Sequence, residues 1–334
     1  MGKRVALVLG AGGARGYAHI GVIEELEARG YRIGCIAGCS MGAVIGGIHA
    51  AGKLDEYRQW IEGLDYLGLL RLMDVSFSMG VIRGDKVFAR IREIVGELNI
   101  EDLPIPYTAV ATDLTTHQEI WFQEGCLHQA MRASAAIPSL FTPVAKGQHM
   151  LVDGGLLNPL PIVPVVSSHC DLIVAVDLGA SNPKHYRLPP QERSPMLRGR
   201  VDAVLGSLGS RLPFRRRVEE LAEVQEGAPL PLRQLDTLAD EPLAAELDSP
   251  PTSASGSTVV DLLGPATLLD LVNQSFEVMQ TALTQYKIAG YPPDILINVP
   301  KQACRFFEFH KAPALIRLGR QIASDTLDAY ERAH

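Results

Sequence analysis

The chain has 334 residues, 47% of them hydrophobic and 21% charged, which is enough apolar material for a sizeable core and excludes a wholly disordered chain. A net charge of −7, with no basic run large enough to set the balance, excludes a general nucleic-acid binder. Five cysteines without a C-x-x-C pair exclude a disulfide framework and a structural zinc, and predict reduced thiols in a cytoplasmic protein.

Lys3 and Arg4 ahead of an apolar stretch imitate a secretory signal, but Val5–Leu9 is too short and runs into glycines, so it is read as a strand entering a turn. An amphipathic helix is expected over Gly16–Arg29, stopped at Gly30. A second strand is expected over Arg32–Ala37 and a second helix over Met41–Ala51, stopped at Gly52. Strand–helix–strand–helix at this spacing predicts a parallel sheet with right-handed crossovers. Helices over Leu54–Met73 and Asp85–Leu98 and strands over Tyr107–Thr112 and Glu119–Phe122 follow, and Leu172–Asp177, apolar throughout, reads as a buried strand. Positions 183, 189, 190, 195, 213, 229, 231, 242, 250 and 251 are all proline, a density that excludes regular structure over most of that segment. Its charge is split into a basic half and an acidic half, and it ends in the linker-like PPTSASGST. Pro265 opens a helix to about Ile288, in which Leu268, Val272, Phe276, Met279, Leu283 and Tyr286 share one face. A last strand over Asp294–Val299 and a helix from about Pro313 complete a single α/β domain. Residues 1–182 are its core, 183–260 a mobile insertion, and 261–334 its completion. No apolar run reaches the ~18–20 residues of a membrane span, which predicts a soluble protein.

Three motifs carry chemistry. Gly38-Cys39-Ser40-Met41-Gly42 is a G-x-S-x-G between the second strand and the second helix, where a sharp turn exposes the serine and the helix N-terminus points its partial positive charge at it. Gly10-Ala11-Gly12-Gly13-Ala14-Arg15-Gly16 is a glycine loop able to bring backbone N–H groups close to a ligand, as an oxyanion requires. A dinucleotide site is the alternative for this loop. It is disfavoured because Arg15 stands where the third glycine of G-x-G-x-x-G belongs, and because Gly30–Cys35 contains no acidic residue for a ribose. Asp153-Gly154-Gly155 is a turn former or, given the serine's need for a proton acceptor, a base. Three late histidines, His169, His185 and His310, have no motif around them and are read as surface or packing residues.

Taken together, GAGGARG, GCSMGA and DGGLLNPLP resemble the patatin-like phospholipases, in particular the bacterial branch that shares its domain with neuropathy target esterase; AVATDLTT (109–116) and MRASAAIPSLFTPV (131–144) also look like that family. The resemblance covers about residues 4–180. It implies an α/β, three-layer patatin-like fold with a mostly parallel central sheet flanked by helices. It also implies a serine acyl-hydrolase acting on phospholipids or lysophospholipids, with Ser40 as nucleophile and Asp153 as base in a Ser-Asp dyad. The amides of Gly12, Gly13 and Ala11 would form the oxyanion hole, Arg15 would brace that loop, and Asn158 and Pro159 would shape the base loop. Ala11 departs from the glycine that many members carry there. Neither metal nor organic cofactor is implied. A catalytically silent lipid-binding module on the same fold, or a nucleotide-dependent oxidoreductase, are the alternatives. Within 196–217, Leu197, Val201, Val204, Leu205, Leu208 and Leu212 share a helical face beside Arg211 and Arg215–Arg217, a candidate peripheral membrane contact, and a homodimer is a further expectation.

Overall fold

The computed structural model describes residues 2–64, 68, 84–138, 141–181, 184, 186, 188, 265–306 and 308–333. His185, the stretch 196–217 and nearly all of the Pro-rich segment lie outside them.

The sheet is built around β1 (Arg4–Leu9), flanked by β2 (Arg32–Cys39) and β7 (Leu172–Ala180), with β3 (Tyr107–Asp113) and β8 (Ile295–Pro300) outside these. All five are parallel. β4 (Gln118–Phe122), β5 (Val144–Lys146) and β6 (His149–Asp153) add antiparallel pairings on the β3 side. Side chains of β1 alternate between two cores, as the two-residue strand period demands. Val5, Leu7 and Leu9 join the larger core, whereas Ala6 and Val8 face Leu160, Ile162 and Val165 across the sheet. Both faces are covered, which is why β1 and β7 read as near-continuous apolar runs.

The larger core is covered by α1 (Ala18–Ala28), α2 (Met41–Ala50), α3 (Leu54–Glu62), α4 (Asp85–Val95), α5 (Leu127–Ser134) and α8 (Ala312–Ala333). The expected amphipathic helix from Gly16 is instead a 3-10 turn, Gly13–Tyr17, followed by α1. Residues Ala18–Ile23 are buried all round because α8 covers the face turned away from the sheet. That crossing is backbone-close: a Cβ on Gly21 would lie 2.0 Å from the Ile316 carbonyl, and one on Gly319 would lie 2.1 Å from the Ala18 carbonyl. α4 stops three residues earlier than its apolar pattern, at Gly96 with φ +80°. The expected helix over Leu54–Met73 is α3 only as far as Glu62; most of the remainder lies outside the described residues.

A short helix, α6 (Val163–Val166), precedes β7. The long helix α7 (Pro265–Gly290) differs most from expectation. Val272, Met279 and Tyr286 of its shared apolar face are exposed, as are Leu271 and Val278, while Gln280 and Thr284 are buried against the protein. Periodicity establishes that residues share a face but not which way the face points.

The route of β3 places two strand ends together. Its residues Ala109 and Val110 pair with both β2 and β4, and Ala111–Asp113 pair with both β4 and β6. Because a strand has only two edges, β2 and β6 must lie in line along one of them. They run in opposite directions, β2 ending at Cys39 opposite Val110 and β6 ending at Asp153 opposite Ala111. The residues at these two ends, Ser40 and Asp153, are thereby brought face to face.

Candidate active site

Ser40 sits between the last residue of β2 and the first of α2 with φ 56° and ψ −125°. This is a conformation that costs a non-glycine residue of order 1–3 kcal/mol and persists only where the surroundings over-determine it. Here the surroundings are close-packed: a Cβ on Gly42 would lie 2.1 Å from the Leu9 carbonyl, and one on Gly38 would lie 2.5 Å from the Gly42 carbonyl. Gly16 is required by α2 in the same way, since its Cβ would meet the Met41 side chain at 2.2 Å. The Ser40 N–H donates to Ser134 Oγ (3.0 Å), which donates to the Val110 carbonyl (2.6 Å) and so ties the turn to β3. Ser134 comes from α5, a helix absent from the sequence reading; the ASAAIP stretch was its only signal.

Asp153 ends β6 with 1% of its surface exposed. Its Oδ1 accepts from the Gly155 N–H (2.7 Å) and from the Cys39 thiol (3.9 Å), while Oδ2 is buried and accepts no well-formed hydrogen bond. Burial raises its pKa from 3.8 to about 6, with the Ser40 hydroxyl, the Gly155 amide and the Cys39 thiol pulling part of the way back. Burial and the Asp153 charge keep the Cys39 thiol protonated. Gly154 admits the Val110 carbonyl, which a Cβ would meet at 2.2 Å, and Gly155 admits the Gln280 amide at 2.1 Å.

The glycine loop follows β1. The Gly10 N–H donates to the Val176 carbonyl (3.1 Å), Ala14 to Phe306 (2.9 Å) and Arg15 to Gly12 (3.2 Å). Ala11 donates to the Pro159 carbonyl (2.8 Å), and this corrects its expected place among the oxyanion donors. Its amide is spent joining the glycine loop to the aspartate loop. Only the Gly12 and Gly13 amides of the loop have no acceptor among the described residues. Arg15 is buried, its Nε donating to the Gly12 carbonyl (3.2 Å), Nη1 to the Lys301 carbonyl (3.0 Å) and Nη2 to Glu277 (2.7 Å). His19 is wholly buried beneath the loop, its Nε2 2.9 Å from the Gly10 carbonyl. Burial lowers its pKa to about 4, so it is neutral and donates from Nε2.

Asn158 donates its backbone N–H to the Gly154 carbonyl (2.8 Å) and its side-chain amide to Glu119 (2.8 Å). Glu119 also accepts from Trp121 (3.1 Å) and from Lys287 of α7 (2.7 Å), and these donors hold its carboxyl below the usual range despite partial burial. No motif surrounds Glu119, Lys287 or Gln280, and sequence reasoning missed all three. His169 is exposed and no histidine among the described residues hydrogen-bonds Asp153, while His310 lies in a 3-10 turn before α8.

An apolar cavity opens beside Ser40. Tyr17, Met41, Val44, Trp60, Ile61, Val87, Phe88, Ile137, Phe141 and Phe309 line it.

Residues 7–166, which hold both loops and the serine turn between them, match the family of patatin-like phospholipases. The chain belongs to the NTE family of these lipid-ester hydrolases. It is 41% identical to an uncharacterized NTE family protein of Mycobacterium bovis over 98% of this chain and 92% of that protein. It is 32% identical to patatin-like phospholipase domain-containing protein 6 of Mus musculus over 54% of this chain and 14% of that protein. Among solved structures, VipD from Legionella pneumophila aligns with 98% of this chain and 67% of its own, at 16% identity and a TM-score of 0.49. None of the helices among the described residues is long and apolar enough to cross a membrane.

Proposed function

We propose that the protein is a serine acyl-hydrolase that cleaves carboxyl esters of phospholipids or lysophospholipids through an acyl-Ser40 intermediate. The observation that carries this reading is the buried, unpartnered Oδ2 of Asp153 at the strand end facing Ser40. A serine hydroxyl needs a positioned acceptor, and a carboxylate with a pKa near 6 is a far better one than a solvated aspartate while still being ionised at neutral pH.

Asp153 takes the hydroxyl proton as Ser40 Oγ attacks the ester carbonyl. The oxyanion of the tetrahedral intermediate accepts hydrogen bonds from the Gly12 and Gly13 amides, a pair worth about 3 kcal/mol or more to the transition state. Collapse breaks the bond to the alcohol, which leaves with the proton held by Asp153. Water then attacks the acyl-serine, Asp153 takes its proton, and the same carboxyl returns a proton to Ser40 Oγ as the fatty acid departs. The apolar cavity at Ser40 suits the acyl chain.

Fluorophosphonate labelling of the purified protein, with the modified residue located by peptide mass spectrometry, tests the reading. The expected result is a single label on Ser40, absent in Ser40→Ala. Well-folded protein that takes no label would point instead to a silent lipid-binding module, and label on another serine would move the site.

A further inference from the structure

The segment Lys301–Lys311, between β8 and α8, presents two chemically different faces to the site. Phe309 lines the apolar cavity with Ser40. Phe306 lies over the glycine loop, its carbonyl accepting the Ala14 N–H and its ring 2.9 Å from where a Cβ on Gly13 would sit. On the other side of the segment, a polar groove runs between it and the Asn273–Glu277 stretch of α7, with Arg15 and Phe306 in its wall. The glycine loop therefore has the apolar cavity on one side and this groove next to it.

The charges in the groove do not cancel. Glu277 is paired with Arg15 and Glu308 with Lys311, each at 2.7 Å. Lys301 and Arg305 are both exposed, and among the described residues neither has a carboxylate partner. Asn273 and Gln274 of α7 add neutral donors to the same wall. Two cations with no carboxylate partner among the described residues, set beside amide donors, are complementary to a phosphate, and guanidinium and ammonium groups are the usual means of recognising one.

We propose that this groove is the headgroup subsite of the enzyme, in which Lys301 and Arg305 bind the phosphate of a phospholipid or lysophospholipid whose ester carbonyl lies at Ser40. The inference rests on the reading of Ser40 as the nucleophile. It narrows the substrate class to lipids with a phosphate headgroup and sets aside neutral acylglycerols.

The test compares a 1-acyl lysophospholipid with the 1-monoacylglycerol of the same chain, which differ only in the phosphate-bearing headgroup. For the wild-type protein, kcat/KM is expected to favour the lysophospholipid. In Lys301→Gln/Arg305→Gln the ratio of the two kcat/KM values falls about 10- to 100-fold, the span expected for losing charge-assisted hydrogen bonds, and Arg305→Lys in place of Arg305→Gln recovers part of it. Equal loss on both substrates, or an unchanged ratio, would overturn the proposal. So would inorganic phosphate that binds the groove without any preference of the enzyme for the lysophospholipid, which would make it a free-anion site. Equilibrium binding of the two lipids to Ser40→Ala protein, with and without the double substitution, reads the subsite without turnover. Should Ser40 fail to take fluorophosphonate while this preference persists, the catalytic reading falls and the headgroup site stands.

Discussion

At the scale of single residues, the site rests on one carboxylate that is costly to bury. Asp153 has a pKa of about 6 in the folded protein against 3.8 for a solvated aspartate, so between those values the folded state holds a proton that the unfolded chain has lost. Stability therefore falls as pH rises through that window and stays lower above it. In the proposed mechanism activity runs the other way, because only the ionised carboxylate can accept the Ser40 proton: kcat/KM is expected to rise with pH through an apparent pKa near 6. Asp153→Asn separates the two effects. It should lower kcat by at least about 10³-fold, while melting curves show a higher Tm than wild type above about pH 6 and no gain below about pH 4. A mutant keeping more than about a tenth of the wild-type rate would remove Asp153 from the chemistry. Ser40 and Asp153 were legible as candidates in the sequence because glycines stand on both sides of the Ser40 turn and directly after Asp153, the fold needs them for close approach, and a glycine pattern can be read along the chain. Ser134 and Glu119 were not, since each acts on residues distant in sequence and its own neighbours carry no matching signal.

At the scale of elements, β2 and β6 meet along one edge of β3, and the loops after them need bracing from outside the sheet. α7 provides it from its polar side. Glu277 holds Arg15, Gln280 lies against Gly155, and Lys287 holds Glu119, which in turn holds Asn158 of the aspartate loop. Glu119→Gln removes the charge that Lys287 and Asn158 share, and is expected to lower kcat about 10- to 100-fold with KM little changed, as a misaimed base does. Steady-state kinetics read that split, and a rise in KM alone would assign Glu119 to substrate binding. Val278, on the outward side of the same helix and 70% exposed, is expected to tolerate Val278→Ser within about 0.5 kcal/mol in a denaturant melt. The apolar period of α7 was legible but its orientation was not, because burial is decided by what the polar residues reach. Most strands and helices along β1–α2 and β7 were found within a few residues, since there both periodicity and glycine stops agree with the packing. β5 was missed as an element because a strand of three residues holds too little pattern to rise above a turn.

At the scale of the whole molecule, the three motifs lie in the first half of the chain, yet the parts that hold them come from its far end. Residues 1–190 and 263–334 form one compact unit, with β8 completing the sheet beside β7 and α8 packed on α1. The amide of Ala14 is held by Phe306, and Arg15 by Lys301 and Glu277. A chain cut between 190 and 263 is expected to take fluorophosphonate on Ser40 only when both pieces are present together, and the first piece alone should remain unlabelled. On the ribosome the same dependence becomes a matter of timing. Serine, aspartate and glycine loop all emerge about 150 residues or more before the carbonyl of Phe306 that holds Ala14. A chain made only as far as the aspartate loop thus carries the proposed reactive groups before the Phe306, Lys301 and Glu277 partners that brace the glycine loop exist, and its capacity to attack an ester is expected to wait for them.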